Sequence, residues 1–188
     1  MLTLVWLVRD NMIRYGTADQ IFNFLTQEEN KELSEHFNTP TWNVGAGEID
    51  YRKHGVPVRS FLYKELIHVD WIKNLFYNKT KDIVKSDIEI SRLYGNGQAH
   101  GQCGFPHNDD DSSDKFRSLV YYPDMSWKPL MGGHLVFIDP ENDNVLQSVF
   151  PTGNSAVVFN SKMTHFALDP SPYCLDLRIS IAVKFKVL

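Results

Sequence analysis

The sequence predicts a mainly β fold, a sandwich or barrel with flanking helices against one sheet's outer face. Three observations carry this. From Asp87 onward, short β-prone runs alternate with turn chemistry, at 88–94, 117–122, 133–138, 145–150, 155–160 and 175–187, with no helical pattern between them. The last run alternates throughout, with Leu177, Ile179, Ile181, Val183, Phe185 and Val187 on one side and Arg178, Ser180, Ala182, Lys184 and Lys186 on the other. Helical patterns are confined to the first half, where they can cover one sheet.

Taken in order, the chain begins with an apolar run, Leu2 to Val8, that reads as a buried strand. It is too short to span a membrane and lacks the basic start and cleavage site of a signal peptide. Thr17 or Asp19 is expected to cap a short helix through Phe24. Thr26 and Glu29 form a capping-box pattern for a helix running toward Phe37. Between Thr39 and Lys64, Gly45, Gly47, Gly55 and Pro57 interrupt β-prone residues, which predicts short strands and a mobile loop. Val69, Ile72, Leu75, Phe76 and Ile83 recur at helical spacing and predict a helix over 67–85, with Asp70 early and Lys81 and Lys85 late, as the helix dipole favours. Beyond it, Asn96-Gly97, Gly132-Gly133, Asp143-Asn144 and Pro151–Asn154 are the expected turns.

The 188 residues carry no repeat, low-complexity tract or long linker, so one domain is expected over 1–188, with 1–86 as mixed helical and strand support and 87–188 as the β core. Hydrophobic residues make up 43% and charged residues 22%, the balance of a soluble globular protein. A net charge of −4 argues against a general grip on nucleic acid or an anionic membrane. Two cysteines, Cys103 and Cys174, suit free thiols and a cytoplasmic location.

His107-Asn108-Asp109 is an H-x-D pair, and in a strand such residues present an imidazole and a carboxylate to one point. With a second histidine from elsewhere this is the facial triad of a non-haem Fe(II) site. His165, 56 positions beyond Asp109, is the best third ligand. Arg178 follows 13 residues later on the next strand, on the polar side. An arginine aimed inward is costly unless it meets an anion, and its fork suits a carboxylate.

This order resembles the 2-oxoglutarate/Fe(II) dioxygenases, and the surrounding motifs narrow the likeness to the prolyl 4-hydroxylase group. Tyr94, Gly97 and Gln98 precede the H-x-D. Val120-Tyr121-Tyr122, Trp127 and Gly132-Gly133-His134-Leu135 match the group's paired aromatics, tryptophan and Gly-Gly-x-Leu. Pro151, Gly153 and Val157-Val158-Phe159 match its turn into a hydrophobic strand. The likeness covers roughly residues 88–187. It implies a double-stranded β-helix, the jelly roll shared with cupins, with Fe(II) held by His107, Asp109 and His165. It also implies 2-oxoglutarate as co-substrate with its far carboxylate on Arg178 and Tyr122, while Tyr94 lines the pocket and Ser180 joins the co-substrate contacts. The implied reaction consumes O2, with ascorbate as an auxiliary reductant, and hydroxylates a peptide, protein or small molecule, a prolyl carbon first among the candidates. Pro123-Asp124, where the group often has leucine and asparagine, and a longer run from His165 to Arg178 depart from the pattern and bear on the substrate.

Two other functions stand beside this one. An AlkB-like nucleic-acid dealkylase would call for a basic, aromatic-interleaved surface that the sequence lacks. A cupin-like binding module without turnover would not need Arg178 aimed at the metal. Plainer roles are assigned to Trp127, Gly132 and Gly133 (packing and a tight turn), to His100 and His134 (not ligands), and to the acidic run after Asp109 (a solvated loop). Arg178 has Asp176 and Glu89 as alternative structural partners. Arg59 and Tyr63, in the segment 45–63, are read as part of a solvated loop, with a substrate-contacting lid as the alternative.

Overall fold

The computed structural model describes residues 12–14, 18–45 and 61–188. The strand expected at Leu2–Val8, the cap at Thr17, and the loop containing Gly47, Gly55, Pro57 and Arg59 lie outside the described residues.

Eleven strands and two α-helices are described: β1 (Met12–Arg14), β2 (Ala18–Phe22), α1 (Gln27–Phe37), β3 (Asn43–Gly45), β4 (Phe61–Glu65), α2 (Asp70–Val84), β5 (Ile88–Gln98), β6 (Phe116–Tyr122), β7 (Leu135–Ile138), β8 (Val145–Val149), β9 (Ser155–Asn160), β10 (His165–Ala167) and β11 (Arg178–Val187). A 3-10 turn, Pro129–Met131, precedes β7. The strands form an eight-stranded sheet, ordered β1-β2-β9-β6-β11-β5-β4-β3, and a three-stranded sheet, ordered β10-β7-β8. Every pairing described is antiparallel. The fold is the double-stranded β-helix that the resemblance implies, and strands from the first half of the chain extend its larger sheet at both edges.

Two cores result. On the outer face of the large sheet, Leu33 and Phe37 of α1 and Ile72 and Phe76 of α2 pack with Leu93, Leu119, Tyr121, Ile181, Val183 and Phe185. Burying each such large side chain is worth roughly 1.5–3 kcal/mol. Between the sheets, Tyr122, Val157 and Phe159 meet Leu135, Phe137 and Val149. The alternation of β11 therefore works as expected, with one face covered by helices and the other turned to the space between the sheets.

Helix α1 starts where the capping box predicts. Thr26 accepts from the Glu29 amide at 3.2 Å, and Glu29 accepts from the Thr26 amide at 2.8 Å. Helix α2 ends at Lys85, whose φ of 54° is left-handed.

Several expectations are corrected. The short helix from Asp19 to Phe24 is a strand, β2. Ala18 exchanges hydrogen bonds with the Gln147 side chain, and the Gln20 side chain donates to Phe150 O and Ser155 Oγ, contacts roughly 130 residues distant that local pattern cannot see. Asn96-Gly97 is not a turn: β5 runs through it to Gln98. A Cβ on Gly95 would stand 2.3 Å from Phe37 Cε1, so the glycine is there to admit that ring. His107-Asn108-Asp109 is not on a regular strand. It is a loop joined to β10 by a single bridge, His107 to His165.

Candidate metal centre

The backbone places the two histidines. His107 N donates to His165 O at 3.0 Å, and His165 N donates to His107 O at 2.9 Å. This pair of bonds brings the imidazoles to 4.5 Å between ring centroids. Each Nδ1 faces a backbone carbonyl, Phe105 O for His107 (2.7 Å) and Met163 O for His165 (2.8 Å). A carbonyl only accepts, so each Nδ1 carries the hydrogen and each Nε2 keeps its lone pair. Carbonyl support of this kind orients metal-ligating imidazoles.

Asp109 is anchored by its own amide, which donates to Ser161 O at 2.9 Å. Its Oδ2 accepts from Ser118 Oγ at 2.6 Å, and Ser118 in turn meets Ser161 Oγ at 2.9 Å. Its Oδ1 receives Lys184 Nζ at 2.7 Å. The carboxylate oxygens stand 3.5 Å from His107 Nε2 and 3.7 Å from His165 Nε2. One ligand atom from each of the three residues falls within 4.8 Å of the others, and among the described residues no other such group of histidine, cysteine and acidic side chains occurs. His100 and His134 stand apart from it, His100 against Pro170 O and Asp169, His134 edge-on to Phe150.

The charge states of His165 and Asp109 suit a metal. Burial pushes His165 down to about 4, against the pull of Asp109, so its ring is neutral at neutral pH. Burial alone would raise Asp109, but His107, His165 and Lys184 hold it well below the usual carboxylate range. Burial likewise works to lower His107, and the Asp109 carboxylate and Phe105 carbonyl outweigh it and raise the ring.

Arg178 begins β11, on the face of the strand that carries Lys184 further along. Its side chain is 3% exposed as a residue and donates to the Gly133 carbonyl and to Gln98 Oε1, both neutral acceptors. Neither Asp176 nor Glu89 pairs with it; among the described residues it makes no ion pair. Its Nε and the Tyr122 hydroxyl are buried with no hydrogen-bond partner, and the guanidinium lies 6.0 Å from the Tyr122 ring centroid. Burial pushes Tyr122 up to about 12, so its hydroxyl stays protonated and able to donate. A buried cation with only neutral partners, beside an unused donor, fits a carboxylate.

Gly133 makes this arrangement possible. Its φ is +77°, and a Cβ there would stand 2.6 Å from Arg178 Cδ. Trp127 Nε1 donates to Gly132 O at 3.0 Å and fixes the same turn, the packing role expected for Trp127, Gly132 and Gly133.

The remaining candidates divide. Ser180 is buried on the same face, one step from Arg178 toward Lys184. Tyr94 lies at the metal end, with Lys184 Nζ 5.8 Å and the Arg92 guanidinium 4.9 Å from its ring centroid. Asp111 and Asp114 are exposed, as a solvated loop should be. Tyr63 sits in β4, across from Asn96. Lys184, Ser118, Ser161 and the role of Gln98 were not foreseen. The available signal was the position of Lys184 on the same face of the alternating strand as Arg178.

Cys103 and Cys174 are both free. Among the described residues no helix is long and apolar enough to cross a membrane.

No protein-family profile and no curated protein matches the sequence. Solved structures do match the fold. A prolyl hydroxylase from Trichoplax adhaerens, in complex with a hypoxia-inducible-factor peptide, superposes with a TM-score of 0.67 at 14% identity, over 91% of this chain and 84% of that one. A 2-oxoglutarate-Fe(II) oxygenase-family oxidoreductase from Burkholderia pseudomallei gives 0.70 at 13%, over 91% and 86%. The viral collagen prolyl hydroxylase of Paramecium bursaria Chlorella virus-1, in its 2-oxoglutarate complex, gives 0.64 at 14%, over 92% and 97%. At such identities the likeness establishes the fold, the jelly roll of these oxygenases.

Proposed function

We propose that the chain is an Fe(II)/2-oxoglutarate-dependent dioxygenase that hydroxylates a C–H bond. The observation that carries this is a pair of features on one face of β11: a His107/Asp109/His165 triad, whose Asp109 meets Lys184, and a buried Arg178 without an anionic partner beside the unpartnered Tyr122 hydroxyl. A binding module needs the first and has no use for the second.

His107, Asp109 and His165 would hold the iron on one side, leaving positions for co-substrate and O2. Iron and 2-oxoglutarate, when bound, supply the oxidising chemistry: one O2 is consumed, 2-oxoglutarate loses CO2 to become succinate, and R–H becomes R–OH. Arg178 and Tyr122 would hold the far carboxylate of the co-substrate. Ser118 and Ser161 keep Asp109 in place, and the Phe105 and Met163 carbonyls keep each Nε2 turned inward. The apolar packing of Phe137 and Phe159 around His165 excludes water from its side of the centre.

A prolyl carbon in a peptide, or a related small molecule, is the substrate class this reading favours, on the likeness to prolyl hydroxylases. The free cysteines favour the cytoplasm as its location. The net charge of −4 speaks against a nucleic-acid substrate.

Purified protein given Fe(II), 2-oxoglutarate, ascorbate and air should release succinate, slowly alone and faster with a true substrate. Replacing His107, Asp109 or His165 by alanine should abolish both metal binding and turnover. Bound iron without succinate, across candidate peptides and small molecules, would instead support a binding module.

A further inference from the structure

The iron ligand Asp109 carries a partner that the proposed chemistry does not require. Lys184 Nζ lies 2.7 Å from Asp109 Oδ1, with the two side chains 17% and 6% exposed, so water does little to screen the pair. Lys184 is not an incidental neighbour. In the β11–β6 ladder it stands directly across from Ser118, the residue that holds the other carboxylate oxygen. One rung of the sheet therefore grips both oxygens of Asp109, one through a neutral hydroxyl and one through an ammonium.

These two grips act differently on a metal. The hydroxyl orients the carboxylate and leaves its charge nearly intact. The ammonium also orients it, but draws on the negative charge that a metal needs, and repels a dication held by the same carboxylate. The oxygen that Lys184 takes is also the one that faces His107 Nε2. The Tyr94 ring and the Arg92 guanidinium behind it form an aromatic and cationic wall on that side.

We propose that Lys184 is a positioning residue that holds Asp109 ready in the metal-free protein and lowers the affinity of the finished site for its metal. The inference rests on His107, Asp109 and His165 being the metal ligands. Its consequence is a centre that is pre-formed when empty and exchanges its metal more readily than the three ligands alone would allow.

The test is calorimetric titration of Mn(II) or Co(II) into the wild-type chain, Lys184→Met and Lys184→Arg. Lys184→Met should bind metal about tenfold more tightly or better, because the competing charge is gone, while Lys184→Arg, which keeps the charge, should stay within about threefold of wild type. Metal-free Lys184→Met should melt at a lower temperature, since a buried carboxylate has lost its counter-ion, and should recover on saturation with metal. A second signature is spectroscopic. In anaerobic Fe(II) protein with 2-oxoglutarate, the visible metal-to-ligand charge-transfer band should move to longer wavelength in Lys184→Met, as a more electron-rich iron requires. Should Lys184→Met fail to fold, Lys184→Gln replaces it with the same expected results. Equal or weaker metal binding by the uncharged variants overturns the inference and leaves the metal site standing. Absence of metal binding by wild type and variants alike overturns both.

Discussion

Gln98 and Arg178 face each other across the β5–β11 ladder, and the Gln98 side-chain carbonyl accepts a hydrogen bond from the guanidinium. The choice of an amide matters. It satisfies a donor without neutralising the charge, which leaves the guanidinium's attraction for an incoming carboxylate. Gln98→Glu should fill that role permanently. The metal-free protein should melt at a higher temperature, and the 2-oxoglutarate concentration needed for half-maximal succinate release should rise about 10- to 100-fold.

Arg178→Ala removes the anchor itself. Losing a buried, charge-assisted carboxylate contact costs about 2–5 kcal/mol, so the 2-oxoglutarate requirement should rise roughly 30-fold or more. Metal titration should be nearly unchanged, because no triad residue touches Arg178. Parallel loss of metal binding would show that the two ends of the site are not separable.

Gly133→Ala tests the support of that anchor from the backbone side. Its left-handed φ of 77° and the 2.6 Å approach to Arg178 Cδ leave no room for a methyl group. A stability loss of about 1–3 kcal/mol in denaturant titration is expected, with a weakened hold on 2-oxoglutarate as Arg178 is displaced.

Tyr121, on the opposite face of β6 from Tyr122, serves the outer core. Its hydroxyl is 2.6 Å from Asn30 Oδ1 and 3.0 Å from Asn154 Oδ1, where it joins α1 to the turn before β9. Tyr121→Phe should cost about 1–3 kcal/mol by leaving a buried carbonyl oxygen short of a donor. Succinate release per folded molecule should be unaltered.

Glu29 gives a pH dependence of known sign. Burial works to raise its carboxyl, but Lys79, at 2.8 Å, and the Thr26 amide outweigh it and hold it below 4.5. A depressed folded-state value means stability that is fully present above the unfolded value and is lost as pH falls through the folded one. Wild type and Glu29→Gln should therefore differ by about 1 kcal/mol at pH 7 and converge below pH 4.5 in thermal melts.

The strands of the second half were legible because their partners impose a period of two on the sequence, most clearly from Arg178 to Val187. The capping box at Thr26 and Glu29 was legible because it is local. Strand β2 was not, since what makes Ala18–Phe22 extended is Gln147 and Ser155, far along the chain. The three residues of the candidate metal centre and Arg178 could be named from their order. Ser118 and Lys184 could not be tied to Asp109, because only the register of β6 against β11 sets them side by side. Tyr94 was placed among the pocket residues by motif, and its ring lies 5.8 Å from Lys184 Nζ.

The bridge between His107 and His165 has a consequence for how such a protein can change over time. The spacing of its two imidazoles is written in main-chain hydrogen bonds, which every residue but proline can make, and not in the side chains of the surrounding loop. Residues 99–106 can therefore drift, lengthen or exchange composition without moving the ligands, provided the two backbones still meet. A spacing set through the peptide group makes few demands on the letters around it.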